Sequence, residues 1–368
     1  MEKSFVNNIH NYLESLEDGI YYKYFPTNSG LTNFGRNLKL GFSCYALKCF
    51  YITKKWDKLN KNKQNDWINF INSFQKNING LPNNSYVDLE FINNYQSFSI
   101  KKKTKNLIKK NLSFLNLYSY ESEKKVLENN IRAETKQAIS TLYQVGSKNK
   151  LLYNDFANNE KKIVEFLDSF NWNKPWHAGA QFSALCVFTS TQLDNELRSA
   201  NSGTLIKFIN SKLNIDDGFY YDGDLPDSSE LINGSMKVLT GLDWLGVSIH
   251  KPEKLIDFCL LHRPSSEGCD LVDVVYVLYR CSLETNYRRS DIGKYLESIK
   301  DIIFSHYKER EFGFSYYLNS SQNNYYGLKI SKSENVADLH GTLLLLWAFS
   351  MIYDFENSEN DLFNIIKP

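Results

Sequence analysis

Six segments of the chain share one pattern, in which a polar or glycine-containing start is followed by an apolar run of helical length. Because apolar side chains cover most of the circumference of each segment, the pattern predicts helices that are buried on several sides. We call these elements the inner helices. They are Asn37–Thr53, Ile131–Gly146, His177–Ser190, Leu231–Gly246, Cys269–Ser282 and Ala337–Tyr353.

An amphipathic, more highly charged segment precedes each inner helix and predicts an outer helix with one apolar face. These segments are residues 1–17, 66–77, 153–170, 203–213, 252–262 and 291–308. The alternation predicts six helical hairpins in a single domain over residues 1–368. The long interval at about 78–130 is interpreted as an inserted helical excursion, and its six lysines within 101–110 predict a solvated face or a contact for an anionic partner.

Short segments rich in glycine, aspartate and aromatic residues lie between outer and inner helices. Their composition predicts turns or short strands on one rim of the molecule, where ligand sites tend to gather because the connections are longer there. These rim segments are Asp18–Tyr24, Ser85–Leu89, Asp217–Asp222 and Phe312–Leu318.

Six hairpins with inner helices around an axis resemble the α/α-toroid superfamily, which is shared by terpenoid cyclases, protein prenyltransferase β-subunits, lanthionine cyclases and six-hairpin glycosidases, lyases and epimerases. The resemblance covers nearly the whole chain and implies an all-α fold, a six-hairpin α/α toroid with short rim strands. It implies no single activity, because the fold hosts unrelated chemistries. An open solenoid of the same hairpins is the alternative, and contact between the first and sixth hairpins would distinguish the two.

In a toroid with parallel inner helices, the polar residues that open these helices converge at one mouth of an axial cavity. Helix N-termini there favour an anionic or strongly hydrogen-bonding ligand. Helix capping is the alternative role for such residues. The residues predicted to be catalytic are Glu134, His177, Asp273, Asp338 and His340, and those predicted to bind substrate are Arg132, Gln181, Asn233, Lys237 and Asp270.

The segment before the fourth inner helix, residues 216–230, holds six acidic residues and no basic ones. Asp222 is predicted to act there as a general acid or base, or as a cation ligand, on a loop that reaches over the cavity. A solvated turn is the alternative. Trp172, Trp176 and Tyr221 lie in or near rim loops and are predicted to contact a substrate.

The fifth and sixth inner helices are similar to the zinc-binding stretches of prenyltransferase β-subunits, Asp-x-Cys-Tyr and Asp-x-x-His-Thr. In this chain Val275 stands where the thiolate ligand would be, and His340 lies one place early. Because a soft ligand is missing, we expect no zinc of that type, no other metal and no cofactor.

Composition narrows the choice of partner and compartment. Lys and Arg number 43 against 42 Asp and Glu, and a net charge of +1 disfavours nucleic acid as a partner. The polar N-terminus and the short apolar run from Leu343 to Met351 predict a cytoplasmic protein with no membrane span. The six cysteines include no CxxC pair and are expected to be free thiols.

Carboxylates, histidines and tryptophans at one mouth predict a carbohydrate-active enzyme of hydrolase, lyase or epimerase type, acting on an oligosaccharide or glycan-like substrate. A terpenoid-cyclase or prenyltransferase-like enzyme with an aromatic-lined isoprenoid cavity is the alternative. A second alternative is a non-catalytic toroid that binds a peptide or glycan on its rim. The pattern predicts no oligomeric state.

Overall fold

The computed structural model describes residues 2–20, 22–95, 122–357 and 359–368. Over these ranges the fold is all-α, as predicted, with strands of only two residues each. The outer helices are α1 (Glu2–Ser15), α4 (Lys61–Asn72), α7 (Glu160–Asp168), α9 (Asn195–Lys212), α11 (Pro252–Leu261) and α13 (Arg289–Ser305). The inner helices are α3 (Leu40–Ile52), α6 (Glu123–Gln144), α8 (Pro175–Gln192), α10 (Ser228–Leu245), α12 (Gly268–Ser282) and α14 (Leu339–Glu356).

Only part of the predicted excursion at 78–130 can be described. A short helix α2 (Asn33–Asn37) precedes α3, and residues 89–95 are helical and are labelled α5. Residues 96–121, which include the lysine-rich stretch 101–110, lie outside the described residues. Residues 123–130 belong to α6 rather than to an insertion.

Helix α6 begins two turns before the predicted start at Ile131. Its N-cap is Ser122, whose Oγ accepts a hydrogen bond of 3.3 Å from the backbone N–H of Lys125. The first two turns are polar, so the apolar pattern did not include them. Similarly α10 begins before Leu231, because Oδ1 of Asp227 accepts a 2.9 Å hydrogen bond from the N–H of Glu230.

The predicted rim segments form short strands or isolated bridges. Strand β1 (Gln75–Lys76) pairs with β2 (Ser85–Tyr86), β3 (Tyr307–Lys308) with β4 (Gly313–Phe314), and β5 (Asn324–Tyr325) with β6 (Leu328–Lys329), all antiparallel. Isolated bridges join Glu17 to Tyr24 and Leu213 to Tyr220. The rim strands therefore lie in connections that lead into inner helices.

The inner helices contact one another in chain order, from α3 through α6, α8, α10 and α12 to α14, and α14 in turn contacts α3. They run in the same direction, because residues at like ends meet. Near the starts of α8 and α10, a Cβ on Gly179 would lie only 2.9 Å from the carbonyl oxygen of Gly234. At the other ends, Arg280 of α12 pairs with Asp243 of α10 at 3.1 Å.

The segment 360–368 crosses the C-terminal ends of the inner helices. The N–H of Asn364 donates to the carbonyl of Ile52 in α3 at 2.8 Å. The N–H of Lys367 donates to Oε1 of Gln144 in α6 at 2.7 Å, and Nε1 of Trp244 in α10 donates to the carbonyl of Pro368 at 2.9 Å. In the closed order of helix contacts, α3 and α10 are three helices apart in either direction and so lie on opposite sides. The segment therefore crosses the line, here called the axis, around which the inner helices are arranged.

Among the described residues, no helix combines the length and the apolar character that a bilayer span requires.

Candidate functional site

The inner helices and the loop before α14 bring polar side chains together around the axis. Four of them were predicted: Glu134 of α6, Lys237 of α10, Asp273 of α12 and His340 of α14. We call the whole group the axial cluster. Its other members are Tyr45, Lys48, Lys136, Gln137, Cys269, Tyr316, Gln322, Tyr325 and Tyr326.

Glu134 is a buried carboxyl group held by two tyrosines. Its side chain is 3% exposed, and the hydroxyl of Tyr325 donates a hydrogen bond to its Oε1. Desolvation raises the pKa of Glu134 to about 7, although hydrogen bonds from Tyr325 and Tyr326 lower that pKa. The carboxyl can therefore both give and take a proton near neutral pH.

The approach of Tyr325 to Glu134 depends on a glycine in α3. A Cβ added to Gly41 would overlap the hydroxyl of Tyr325. The second position of α3 must therefore lack a side chain for the tyrosine to reach the carboxyl group.

His340 lies between two aromatic rings. The ring of Tyr45 stacks on the imidazole with a distance of 4.9 Å between ring centroids and an angle of 14° between ring planes. The ring of Tyr316 stacks on it with a centroid distance of 5.4 Å and an angle of 13°. Its Nδ1 lies 2.8 Å from Oε1 of Gln322, and an amide oxygen can only accept, so Nδ1 carries the proton and Nε2 carries the lone pair. Desolvation, and then the charge of Lys237, lowers the pKa of His340 to about 3. The imidazole is therefore neutral.

Asp273 and Lys237 are an acidic and a basic member of the cluster that interact electrostatically. Asp273 is 1% exposed, and its Oδ2 has no hydrogen-bond partner among the described residues. Desolvation raises the pKa of Asp273 to about 6, although the charge of Lys237 lowers that pKa. Lys237 makes no direct ion pair with a described residue and acts electrostatically on Asp273, Cys269 and His340.

Two further lysines lie deeper along the axis. Lys48 of α3 is 3% exposed, its Nζ donates to Oε1 of Gln137 at 3.3 Å, and desolvation lowers its pKa to about 8. Desolvation, and then the charges of Lys48 and Lys237, lowers the pKa of Lys136 well below its usual value. Nε2 of Gln137 has no hydrogen-bond partner among the described residues.

Several members of the axial cluster keep accessible surface although they lie deep in the protein. This holds for Tyr45, Lys136, Cys269, Tyr326 and His340, which are half-buried. Desolvation is nevertheless the largest cause of the pKa shift of each. These side chains therefore combine dense surroundings with some retained accessible surface.

Asp338 is the N-cap of α14 and also holds the preceding loop. Its Oδ1 accepts from the N–H of Gly341 at 2.7 Å, and its Oδ2 accepts from the N–H of Tyr316 at 2.7 Å and of Gln322 at 3.0 Å. Burial raises the pKa of Asp338 to about 6, although these hydrogen bonds lower it. Asp338 thus holds the backbone of Tyr316 and Gln322, whose side chains contact His340, and its predicted catalytic role stays a prediction.

Two predicted substrate ligands lie buried near the cluster. Oδ2 of Asp270 accepts a 2.6 Å hydrogen bond from the N–H of Ser265, and the charge of Asp270 raises the pKa of Asp273. Asn233 is 4% exposed. Oδ1 of each residue has no partner among the described residues.

Arg132 and Gln181 pair with each other between α6 and α8. Nη1 of Arg132 donates to Oε1 of Gln181 at 2.9 Å, and the guanidinium lies 4.6 Å from the ring centroid of Phe166. Arg132 also lines a cavity of about 480 Å³ with Asp155 and other residues that lie outside the axial cluster. The substrate contacts predicted for the pair therefore stay a prediction.

His177 and Trp176 are exposed at the start of α8. They line a pocket of about 330 Å³ with Lys174, Ala180 and Glu230. Oε1 of Glu230 accepts a 3.0 Å hydrogen bond from the N–H of Trp176. The structure thus assigns these two predicted residues to a separate surface pocket.

The remaining predicted residues have structural partners of their own. Trp172 is 2% exposed and donates from Nε1 to the carbonyl of Leu167 at 3.0 Å, so it offers no surface to a ligand. Asp222 forms an ion pair of 2.6 Å with Lys212. The hydroxyl of Tyr221 donates a hydrogen bond of 2.8 Å to Oδ2 of Asp217 in the same loop. This loop has the character of the solvated turn that was the alternative interpretation.

No protein-family model, no curated protein and no solved structure matches the chain.

Proposed function

We propose that the protein is an α/α-toroid enzyme that moves protons on a glycan-like substrate bearing a carboxylate. The reaction is of lyase or epimerase type, in which a base removes the hydrogen from the carbon next to the carboxylate. One observation carries the proposal: a neutral histidine, a carboxyl group with a raised pKa and a lysine that forms no ion pair with a described residue surround one axis.

The order of helix contacts supports the toroid. An open solenoid leaves its first and last hairpins apart, whereas a toroid brings them together. In this chain α14 contacts α3, and the N-terminal ends of both contribute to the same cluster through the stacked rings of Tyr45 and His340.

His340 is the proposed base. Its tautomer leaves the lone pair on Nε2, and Gln322 and the two flanking tyrosines hold the ring in place. A pKa of about 3 makes a weak base, but the charge of Lys237 is one of its two causes. A substrate carboxylate beside Lys237 would neutralise that charge and so raise the pKa of His340 in the complex.

Lys237 and Glu134 supply the other two functions of the site. Among the described residues, no carboxylate forms an ion pair with Lys237. Lys237 is therefore available to bind a substrate carboxylate and to stabilise the charge that develops when the neighbouring carbon loses its proton. Glu134, with a pKa of about 7, can return a proton to the carbon or to the leaving oxygen.

Analysis of the products formed in D2O tests the proposal. Purified protein is incubated in D2O with oligosaccharides that contain uronic acids, and the products are analysed by NMR and mass spectrometry. An epimerase places deuterium on the carbon next to the carboxylate, whereas a lyase leaves a carbon–carbon double bond there and releases the leaving oxygen as a hydroxyl group. We expect one of these products with the unmodified chain, and a loss of roughly 100-fold or more in His340→Gln and in Lys237→Met. Lys124→Met is the matched control, since Lys124 is a surface residue with a 75% exposed side chain.

Unchanged product formation in both His340→Gln and Lys237→Met would contradict the assignment of the site. Prenyl diphosphates form a second arm of the same experiment. Turnover of these and none of the uronates would favour the isoprenoid alternative, and tight binding without turnover of either class would favour a binding protein.

A further inference from the structure

The cavity of about 480 Å³ that Arg132 lines lies outside the axial cluster. We call it the Arg132 pocket. Its lining comes from the connection between β1 and β2, from α6, from the connection between α6 and α7, and from α7. Its volume is in the range of pockets that hold small molecules, and the proposed proton transfer uses none of its residues.

The guanidinium of Arg132 is fixed at one nitrogen and on one face. Its Nη1 donates hydrogen bonds to Oδ1 of Asn129 at 2.8 Å and to Oε1 of Gln181 at 2.9 Å. Its Cζ lies 4.6 Å from the ring centroid of Phe166. Gln181 is 5% exposed and belongs to an inner helix, so these contacts hold the guanidinium against the core.

The opposite edge of the guanidinium has no partner among the described residues. There Nε and Nη2 of Arg132 form no hydrogen bond, and Arg132 forms no ion pair with any described carboxylate. Neither nitrogen is completely enclosed. The N–H groups on this edge are parallel, which is the geometry that binds two oxygens of one carboxylate or phosphate group.

The charges around the pocket favour an anion. Of its two acidic residues, Glu128 has its Oε1 at 3.7 Å from Nζ of Lys124. Oδ2 of Asp155 accepts a 2.9 Å hydrogen bond from a backbone N–H of the connection between β1 and β2. The second cation of the lining, Lys162, forms no ion pair with a described residue. With Lys124 included, three cations stand against two carboxylates.

Apolar side chains form another part of the lining. Phe156 is held by Tyr153, at a centroid distance of 5.8 Å and an angle of 18° between ring planes, and by Phe188, at a centroid distance of 5.4 Å. Leu81 and Pro82 line the same pocket and are half-buried. A pocket of this kind suits a ligand with an apolar body and one charged group.

We propose that the Arg132 pocket binds a small molecule in which a carboxylate or phosphate group is joined to an apolar body. Two oxygens of the anionic group accept hydrogen bonds from Nε and Nη2 of Arg132. Lys162 adds a second positive charge, and the apolar body packs on Phe156.

This inference is separate from the proposed function, because no residue of the pocket belongs to the axial cluster. Binding here requires no turnover and would survive the failure of every uronate to react. Conversely, loss of binding at Arg132 would leave the proposed chemistry at His340 untested and intact.

Equilibrium binding to the full chain tests the proposal. Benzoate and phenyl phosphate are the anionic probes, benzamide is the neutral match of benzoate, and acetate lacks the ring. NMR titration measures each dissociation constant. We expect benzoate or phenyl phosphate to bind at least 10-fold more tightly than benzamide, and benzoate to bind more tightly than acetate. The tighter of the two anionic probes identifies the preferred group.

Variants locate the site. Arg132→Lys keeps the charge but removes the parallel N–H groups, so it should weaken binding of the tighter probe about 10-fold. Lys162→Met should weaken it about 3-fold. Lys161→Met is the matched control, since Lys161 is the preceding residue, has an 83% exposed side chain and does not line the pocket. Lys237→Met should also leave binding unchanged, because Lys237 belongs to the axial cluster.

The exposed Lys162 keeps the test decisive even if Arg132→Lys does not fold. Weaker binding in Lys162→Met together with unchanged binding in Lys161→Met supports the site. Three results would overturn the proposal. These are anionic probes that bind no more tightly than benzamide, affinities that are unchanged in every folded variant of the pocket, and a loss of binding in Lys237→Met instead.

Discussion

The hydroxyl of Tyr325 donates a hydrogen bond to Oε1 of Glu134, and the two residues lie 191 positions apart in the chain. The bond joins the loop before α14 to inner helix α6. The same loop supplies Tyr316 and Gln322, which hold His340. The contact therefore couples the position of the proposed base to the protonation of the proposed acid.

Gly41→Ala should break this coupling. The new Cβ would overlap the hydroxyl of Tyr325, so the tyrosine must leave Glu134. We expect a loss of about 1 to 3 kcal/mol of unfolding free energy, as for other overpacked cores, and a further rise in the pKa of Glu134 because a hydrogen bond that lowers it is gone. Urea denaturation and NMR titration of the carboxyl group measure the two effects.

Gly203→Ala is the matched control. Gly203 lies in outer helix α9, and no atom lies within 4 Å of the position that its Cβ would take. Alanine there should stabilise the protein by about 0.5 to 1 kcal/mol. Equal effects of the two substitutions would mean that Gly41 does not determine the position of Tyr325.

Glu134→Gln should change how stability depends on pH. The folded pKa of about 7 exceeds the ordinary 4.5, so the folded state binds more protons between these values. The contribution of Glu134 is therefore fully present below pH 4.5 and is lost as the pH rises through about 7. The unmodified chain should lose up to about 3 kcal/mol relative to the variant across this window. If the difference in unfolding free energy between the unmodified chain and the variant were the same at all pH values, the raised pKa of Glu134 would be contradicted.

Lys48→Met tests the opposite effect at alkaline pH, where the buried lysine should make the unmodified chain more stable as the pH rises. The pKa of Lys48 in the folded protein is about 8, below the ordinary 10.5, so the unfolded state binds more protons between these pH values. The destabilisation caused by burying the ammonium group therefore decreases as the pH rises. The variant should be more stable than the unmodified chain below pH 8, by on the order of 3 kcal/mol at most, and this advantage should shrink toward pH 10.5. Thermal unfolding at several pH values checks this.

Asp338→Asn and Asp273→Asn should separate a structural carboxylate from a functional one. Asp338 accepts three backbone hydrogen bonds, and an asparagine cannot replace them all, so we expect a loss of about 2 kcal/mol or more. Asp273 leaves Oδ2 without a described partner, so Asp273→Asn should change stability little or increase it. Its effect should instead appear in turnover. Equal melting temperatures for the two variants would remove this distinction.

The sequence predicted the helices better than the contacts between them. Apolar runs gave the positions of all the described inner helices, because burial on several sides leaves a pattern that does not depend on the neighbours. The start of α6 was missed, since its first two turns are polar and only the cap at Ser122 marks them.

The site was predicted in part for the same reason. Glu134, Lys237, Asp273 and His340 were identified because each lies within two turns of the start that was predicted for its inner helix. Trp172 was assigned to a ligand, although it packs in the core, because composition does not show which face of a loop is buried.

Two groups among the missed members of the axial cluster differ in the signal that they left in the sequence. The loop tyrosines join the cluster through contacts across most of the chain, which local patterns cannot show. Lys48 and Lys136 did leave a signal, since a lysine within a helix that is otherwise apolar has no solvent to face unless a cavity is present.

The segment 360–368 lies across the C-terminal ends of the inner helices and fastens helices that come from distant parts of the chain. Asn364, Lys367 and Pro368 hydrogen-bond to α3, α6 and α10. Because these helices precede the segment by more than a hundred residues, their C-terminal ends can be fastened in this way only after the segment itself has been synthesised.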